Sequence, residues 1–165
     1  MNARAAWRLE RLGFERVSRY APGKADWLAA GLPTEGHDAA TLRAGTVARR
    51  DVPTCGPGDQ VADAAAKAMA AGSRVCLVVN EERVVLGRLR GDALAPGGQG
   101  PVEEVMEEGP TTTRADDNLE RLTARMRQRS VASIVVTDPD GRLIGILDRQ
   151  DAEAALASAA REQDD

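Results

Sequence analysis

The chain has 165 residues, a net charge of −4, two cysteines and only four aromatic residues, Trp7, Phe14, Tyr20 and Trp27, all within the first 27 positions. Such a length can bury one compact core, but most of it offers no ring on which a base could stack, and its acidic balance opposes a phosphate backbone, so no nucleic-acid partner is expected. Apolar runs of five or six residues, such as 75–79, fall far short of the roughly 20 that span a bilayer, so no membrane partner is expected, and Cys55, Cys76 and a lone His37 cannot assemble a disulfide framework or a zinc site.

The first residues mix Arg4, Trp7, Arg8, Leu9, Glu10 and Arg11 rather than running from positive to apolar as a secretory leader does, so a soluble, cytoplasmic setting is expected. Residues 4–14 read as a helix stopped by Gly13, 16–20 as a short strand, and Pro22-Gly23 as a turn into a helix bearing Trp27 that leaves through Gly31-Leu32-Pro33. That order resembles the C-terminal end of a rhodanese domain and assigns residues 1–36 to such a fragment. The resemblance implies no sulfur transfer. The cysteine loop that precedes the first of these helices in a rhodanese has no counterpart, since Cys55 comes later, in a loop, and Cys76 lies in an apolar strand as a small buried hydrophobe. A piece this short cannot sustain its own core, so its four aromatic residues are expected to bury against the rest of the chain, a second copy or one another. Residues 37–45 follow as a linker, in which His37 reads as a solvated histidine rather than a general base.

From position 59 the chain matches itself at a shift of 58: Asp59 falls on Asp117, Cys76 on Ile134, Asn80 on Asp138, Gly87 on Gly145 and Leu89 on Leu147. Upstream, Pro53-Thr54 falls on Pro110-Thr111 at a shift of 57, which implies one residue gained or lost. The first copy, 46–95, has a short extended Pro-Thr segment and a helix with Val61, Ala65, Ala68 and Met69 on one face. Strands at Arg74 to Val79 and Arg83 to Leu89 follow, then a short helix at Asp92 to Ala95. After a Gly- and Pro-rich linker at 96–101, the second copy, 102–160, opens with a helix over 102–106 before the Thr-rich segment. Its main helix carries Leu119, Leu122, Thr123 and Met126, with Asp117 and Glu120 as an acidic capping box. Strands at Ala132 to Thr137 and Arg142 to Leu147 flank the turn Asp138-Pro139-Asp140-Gly141, and a long helix runs from Arg149 to Ala160. Residues 161–165 read as a polar, disordered tail. The run Glu103-Glu104 and Glu107-Glu108 reads as a solvated face rather than a cation site, and no metal site is expected.

The tandem strand-helix-strand-strand-helix unit, closed by Leu-Ile-Gly-Ile-Leu-Asp-Arg-Gln-Asp at 143–151, resembles the CBS domain pair, or Bateman module, over about residues 44–160. The resemblance implies an α+β (α/β sandwich) fold with pseudo-twofold symmetry and two clefts that bind adenine nucleotides or S-adenosylmethionine as regulatory ligands. The family's ligand signature places a Gly, then a hydroxyl residue that meets phosphate, then an Asp that meets the ribose hydroxyls. In the second copy these positions hold Gly145, Asp148 and Asp151. Asp151 fits the ribose role, or else caps the final helix. Asp148 departs from the pattern, since a carboxylate 4 Å from a phosphate repels it by about 4 kcal/mol in a surface-like dielectric, which points to a weakly charged ligand, displaced phosphates or no ligand. In the first copy Arg90 takes the hydroxyl position and Asp92 falls one residue early. Arg90 is able to hold a phosphate as a bidentate cation or to stay solvated. Thr111, Thr112 and Thr113 fall where the family's adenine contacts arise, or form a Thr-rich strand edge.

These residues imply a non-enzymatic module that senses an adenosyl-type molecule (AMP, ADP, ATP or S-adenosylmethionine) and regulates a partner protein, with no catalytic residue and no required cofactor. The alternative is a ligand-free interaction or dimerisation module, favoured by the altered signatures. A remnant sulfurtransferase is disfavoured by the missing cysteine loop. The resemblance implies a homodimer in either leading case.

Overall fold

The structure, a computed structural model, describes residues 8–18, 23–36, 41–95 and 97–164. Trp7, Tyr20 and His37 lie outside them. A helical turn over 8–11 stops at Gly13, whose φ of +92° suits the residue type. The strand expected over 16–20 does not form at 16–18, where no described strand offers a ladder partner. Helix α1 (Lys24–Ala29) follows, and Trp27 Nε1 donates to the Pro33 carbonyl at 2.9 Å, folding the helix exit back on itself. Of the two described rings expected to bury, Trp27 is half-buried and Phe14 is not. Ala29 is the residue that enters the core beneath, while Phe14 is 58% exposed.

The remainder is a mixed α+β sandwich. Its first half has α2 (Ala44–Val47), β1 (Thr54–Cys55), α3 (Val61–Ala70), β2 (Val75–Val79), β3 (Val85–Arg90) and a 3-10 turn at Gly91–Leu94. The second has a 3-10 turn at Val102–Glu104, β4 (Glu107–Glu108), β5 (Thr112–Arg114), α4 (Leu119–Gln128), β6 (Ser133–Thr137), β7 (Leu143–Asp148) and α5 (Arg149–Asp164). The helix expected over 102–106 is thus a single 3-10 turn, and residues 161–164, expected as a tail, continue α5. On α4 the expected stripe is buried, Leu119, Leu122, Thr123 and Met126. On α3 it is Val61, Ala64 and Ala68, with Met69 77% exposed. In so Ala-rich a helix nearly every face is apolar, so periodicity alone does not choose the inner one.

Two sheets form, with strand orders β1-β2-β3-β4 and β5-β6-β7. In each, the first strand runs parallel to the second and the second antiparallel to the third. Thr54 pairs with Leu77 and Thr112 with Val135, so Thr54 corresponds to Thr112 and the shift of 58 holds there too. The one-residue gain inferred from the two Pro-Thr pairs is therefore absent; that recurrence is a coincidence of composition. Cys55, expected in a loop, is a buried β1 residue whose Sγ lies 3.6 Å from that of Cys76, both as free thiols. A hydrogen bond with Cys76 and then burial push the Cys55 thiol well above its usual range.

Equivalent residues meet across a pseudo-twofold axis. Val84 bridges Arg142, with the Val85 N–H donating to the Gly141 carbonyl and the Leu143 N–H to the Arg83 carbonyl. The lead-in segment of each half is exchanged: Arg49 bridges Ile146 of the second sheet, while Glu107 pairs with Arg88 of the first. Gly87 and Gly145 sit under those crossings, where a Cβ would overlap Met106 in one case and the Arg49 carbonyl in the other. Leu77, Val135, Leu143 and Ile146 form the central layer between the sheets, and a separate core lies under the helices of each half.

Candidate functional site

At the end of the central layer away from the Val84 and Arg142 turns, the two sheets diverge into a groove of about 570 Å³. It opens where β2 and β6 begin and β3 and β7 end, and Val75 and Arg88 line it together with their equivalents Ser133 and Ile146. Its charged lining is Arg49, Arg74, Arg88, Arg90, Arg149, Asp148 and Asp151. Five guanidinium groups against two carboxylates make the groove a cationic feature in a chain of net charge −4.

Local structure explains how these side chains arrive. Arg88 and Arg90 alternate along β3 and so share one face, and Asp148 ends β7 at the position equivalent to Arg90. Asp151 stands in the first turn of α5, exposed. Neither Asp148 nor Asp151 has a hydrogen-bond or ion-pair partner among the described residues, so both carboxylates are available to a ligand, and Asp151 does not cap α5. Glu107 flanks the groove. Its carboxylate accepts from Arg88 Nε at 2.9 Å and from Arg90 Nε at 2.7 Å, and these guanidinium groups, Arg90 foremost, hold it below the usual carboxylate range.

The groove thus gathers Arg90, Asp148 and Asp151 and leaves the other sequence-predicted residues elsewhere. Asp92 is exposed in the 3-10 turn Gly91–Leu94, at the position equivalent to Gln150. Thr111 and Thr112 are exposed, while Thr113 is buried with its hydroxyl donating to Asp117. Thr112 and Thr113 border a different depression, shared with Arg114 and Arg125. Sequence reasoning passed over Arg49, Arg74, Arg88 and Arg149. Arg49 and Arg88 became legible only with the exchanged lead-in segments, although Arg88 lies two residues from Arg90 on a strand, a spacing that could have drawn attention to it.

Among the described residues no group of acidic, cysteine and histidine side chains is placed to hold a metal ion, and no helix is long and apolar enough to cross a membrane.

A family model described as CBS domain matches residues 44–90 and 102–158, more than half of the chain. Solved structures share the architecture at low identity. CBSX2 of Arabidopsis thaliana, solved in complex with AMP, is 22% identical over 71% of this chain and 97% of its own, with a TM-score of 0.62. The cytosolic domain of the Mg2+ channel MgtE in complex with ATP is 22% identical over 71% of this chain and 50% of that one, with a TM-score of 0.61. The CBS pair of protein MJ0100, with 5-methylthioadenosine and S-adenosyl-L-methionine, is 17% identical over 72% of this chain and 98% of its own, with a TM-score of 0.59. No curated protein matches the chain.

Proposed function

The chain belongs to the CBS domain family, and from that premise we propose that it is a non-catalytic regulatory module whose groove senses a phosphorylated adenosine nucleotide. The observation that carries this reading is the groove's charge: Arg49, Arg74, Arg88, Arg90 and Arg149 surround Asp148 and Asp151. Asp148 alone disfavours a phosphate, but five flanking guanidinium groups outweigh it even with Glu107 engaging Arg88 and Arg90, and a guanidinium grips phosphate oxygens in a fork. A cationic sulfonium ligand gains nothing from the same surroundings. Asp151, unpartnered at the start of α5, is suited to accept both ribose hydroxyl protons. The complexes of the structural relatives with AMP and ATP support the ligand class.

Calorimetric titration with ATP, ADP, AMP, adenosine and S-adenosylmethionine tests the reading. Affinity is expected to rise with phosphate number, and Asp151→Ala to weaken ATP binding about tenfold, in keeping with the loss of a charge-assisted bidentate contact. Silence from every nucleotide at millimolar concentration overturns it and leaves the module as a ligand-free interaction surface. Asp92 and Thr111 to Thr113 then serve as controls: on this reading their alanine variants change affinity little.

We further propose a cytoplasmic homodimer acting on a regulated partner protein. Free thiols at Cys55 and Cys76 suit a reducing compartment, and the outer face of α3, with Met69 77% exposed, suits a second copy. Residues 1–36 are carried as a non-catalytic appended segment, the rhodanese-like order being supported by the turn at Gly13 and by α1 with its Trp27.

A further inference from the structure

Glu107 is not itself in the groove lining, yet its carboxylate accepts from two of the five arginines that are, Arg88 at 2.9 Å and Arg90 at 2.7 Å. It belongs to β4, a two-residue edge strand whose hold on β3 is the pairing of Gly87 with Glu108 and Arg88 with Glu107, extended by the Gly109 N–H donating to the Leu86 carbonyl at 3.1 Å. Across the pseudo-twofold the arrangement is inverted in charge. The equivalent of Glu107 is Arg49, those of Arg88 and Arg90 are Ile146 and Asp148, and no ion pair joins Arg49 to Asp148. On the second half's side Asp148 and Asp151 hold no arginine, and Arg149 has only a loose pair with Glu153 at 4.0 Å, so Glu107 is the one carboxylate that closely engages two groove arginines.

Resting on the nucleotide-sensing reading, we infer that Glu107 is a displaceable latch: it occupies Arg88 and Arg90 in the empty protein, and the polyphosphate of a ligand takes them over and releases β4 from the edge of the first sheet. Glu107 and Arg90 are 46% and 56% exposed and Arg88 26%, so solvent reaches both pairs and screens them, the Arg90 pair most, and a multiply charged anion outcompetes one carboxylate. Ligand charge is thereby converted into order or disorder of the lead-in segment of the second half. A ligand with one phosphate engages the arginines less completely and opens the latch less, so Glu107 also selects for phosphate number.

The experiment compares the full chain with Glu107→Gln and, as a control, Glu108→Gln, each titrated with ATP, AMP and inorganic tripolyphosphate at low ionic strength. Glu107→Gln is expected to bind ATP and tripolyphosphate on the order of five- to tenfold more tightly, with a smaller gain for AMP, because the competing internal anion is gone. Glu108→Gln is expected to stay near the parent. In the parent, saturating ATP should speed hydrogen exchange at the Gly109 amide. Equal or weaker binding by Glu107→Gln, or an equal gain from Glu108→Gln, overturns the latch even when ATP binds well. If Glu107→Gln tightens both anions but ATP binds no better than tripolyphosphate in any of the three proteins, the latch stands and the nucleotide reading falls. If neither anion binds any of the three proteins, both fall. Thermal unfolding of each variant confirms that the comparison is between folded proteins.

Discussion

Gly145 illustrates what one residue does in two roles. It opens the stretch that ends at Asp151, and it lies where the Arg49 backbone crosses β7, so that a methyl group would overlap the Arg49 carbonyl. Backbone cannot step aside as a side chain can. Gly145→Ala is therefore expected to cost about 1–3 kcal/mol, the range of overpacked sites, and Gly87→Ala less, since its nearest obstacle is the flexible Met106 thioether at 2.7 Å. Urea denaturation of the two variants checks the order. The glycines were legible in the sequence; their reason was not, because each obstacle is supplied by the other half of the chain. Titration belongs to this scale as well. Asp59 is held below the usual carboxylate range by the Gly56 N–H and then by Lys67, and Glu107 by Arg90 and then Arg88. A carboxylate depressed in the folded state favours folding above its unfolded pKa of about 4 and ceases to do so as pH falls below that. The thermal midpoint is expected to fall as pH drops below about 4, and to fall less in an Asp59→Asn, Glu107→Gln double variant.

The antiparallel strand pairs β2–β3 and β6–β7 are legible in the sequence to within one or two residues, because β-branched runs bounded by turns mark strands locally, and Leu119 to Met126 marks a helix face. Errors arose where neighbours decide. By pattern Asp117 belongs to a capping box, but the N-cap of α4 is Asn118, whose Oδ1 accepts the Arg121 N–H at 3.0 Å, and the Asp117 carboxylate is taken by the Thr113 hydroxyl. Asn118→Ala should therefore lower stability by about 1 kcal/mol, read as a fall in the thermal midpoint, the usual cost of losing such a cap. β4 escaped notice for a related reason. Two glutamates carry no strand signal of their own, and they become a strand because β3 presents an unpaired edge to them. The groove was half legible: Asp148, Asp151 and Arg90 were singled out by their place in a repeated motif, whereas Arg49 needed a crossing of the chain that no local pattern encodes.

For the molecule as a whole, each half is incomplete. The central layer of Leu77, Val135, Leu143 and Ile146 takes residues from both, and each lead-in segment closes the other's sheet. Leu77→Ala is expected to cost about 2–5 kcal/mol and to loosen amide protection in both sheets together, a result that hydrogen exchange resolves by residue. Cutting the backbone between Gly97 and Gly100 should leave two fragments that elute together, while a chain of 41–95 alone should lack the dispersed amide spectrum of a folded monomer. A well-dispersed monomeric spectrum from that fragment would show the halves to be independent. The exchanged lead-in segments have a consequence for the connection between Leu94 and Val102. Two separate copies of such a half could meet through the same pairings, so this stretch is required less as a shaped loop than as a tether. It turns a meeting of two molecules into one within a single chain, at an effective concentration in roughly the millimolar range, a task that asks of its glycines and prolines only that they reach.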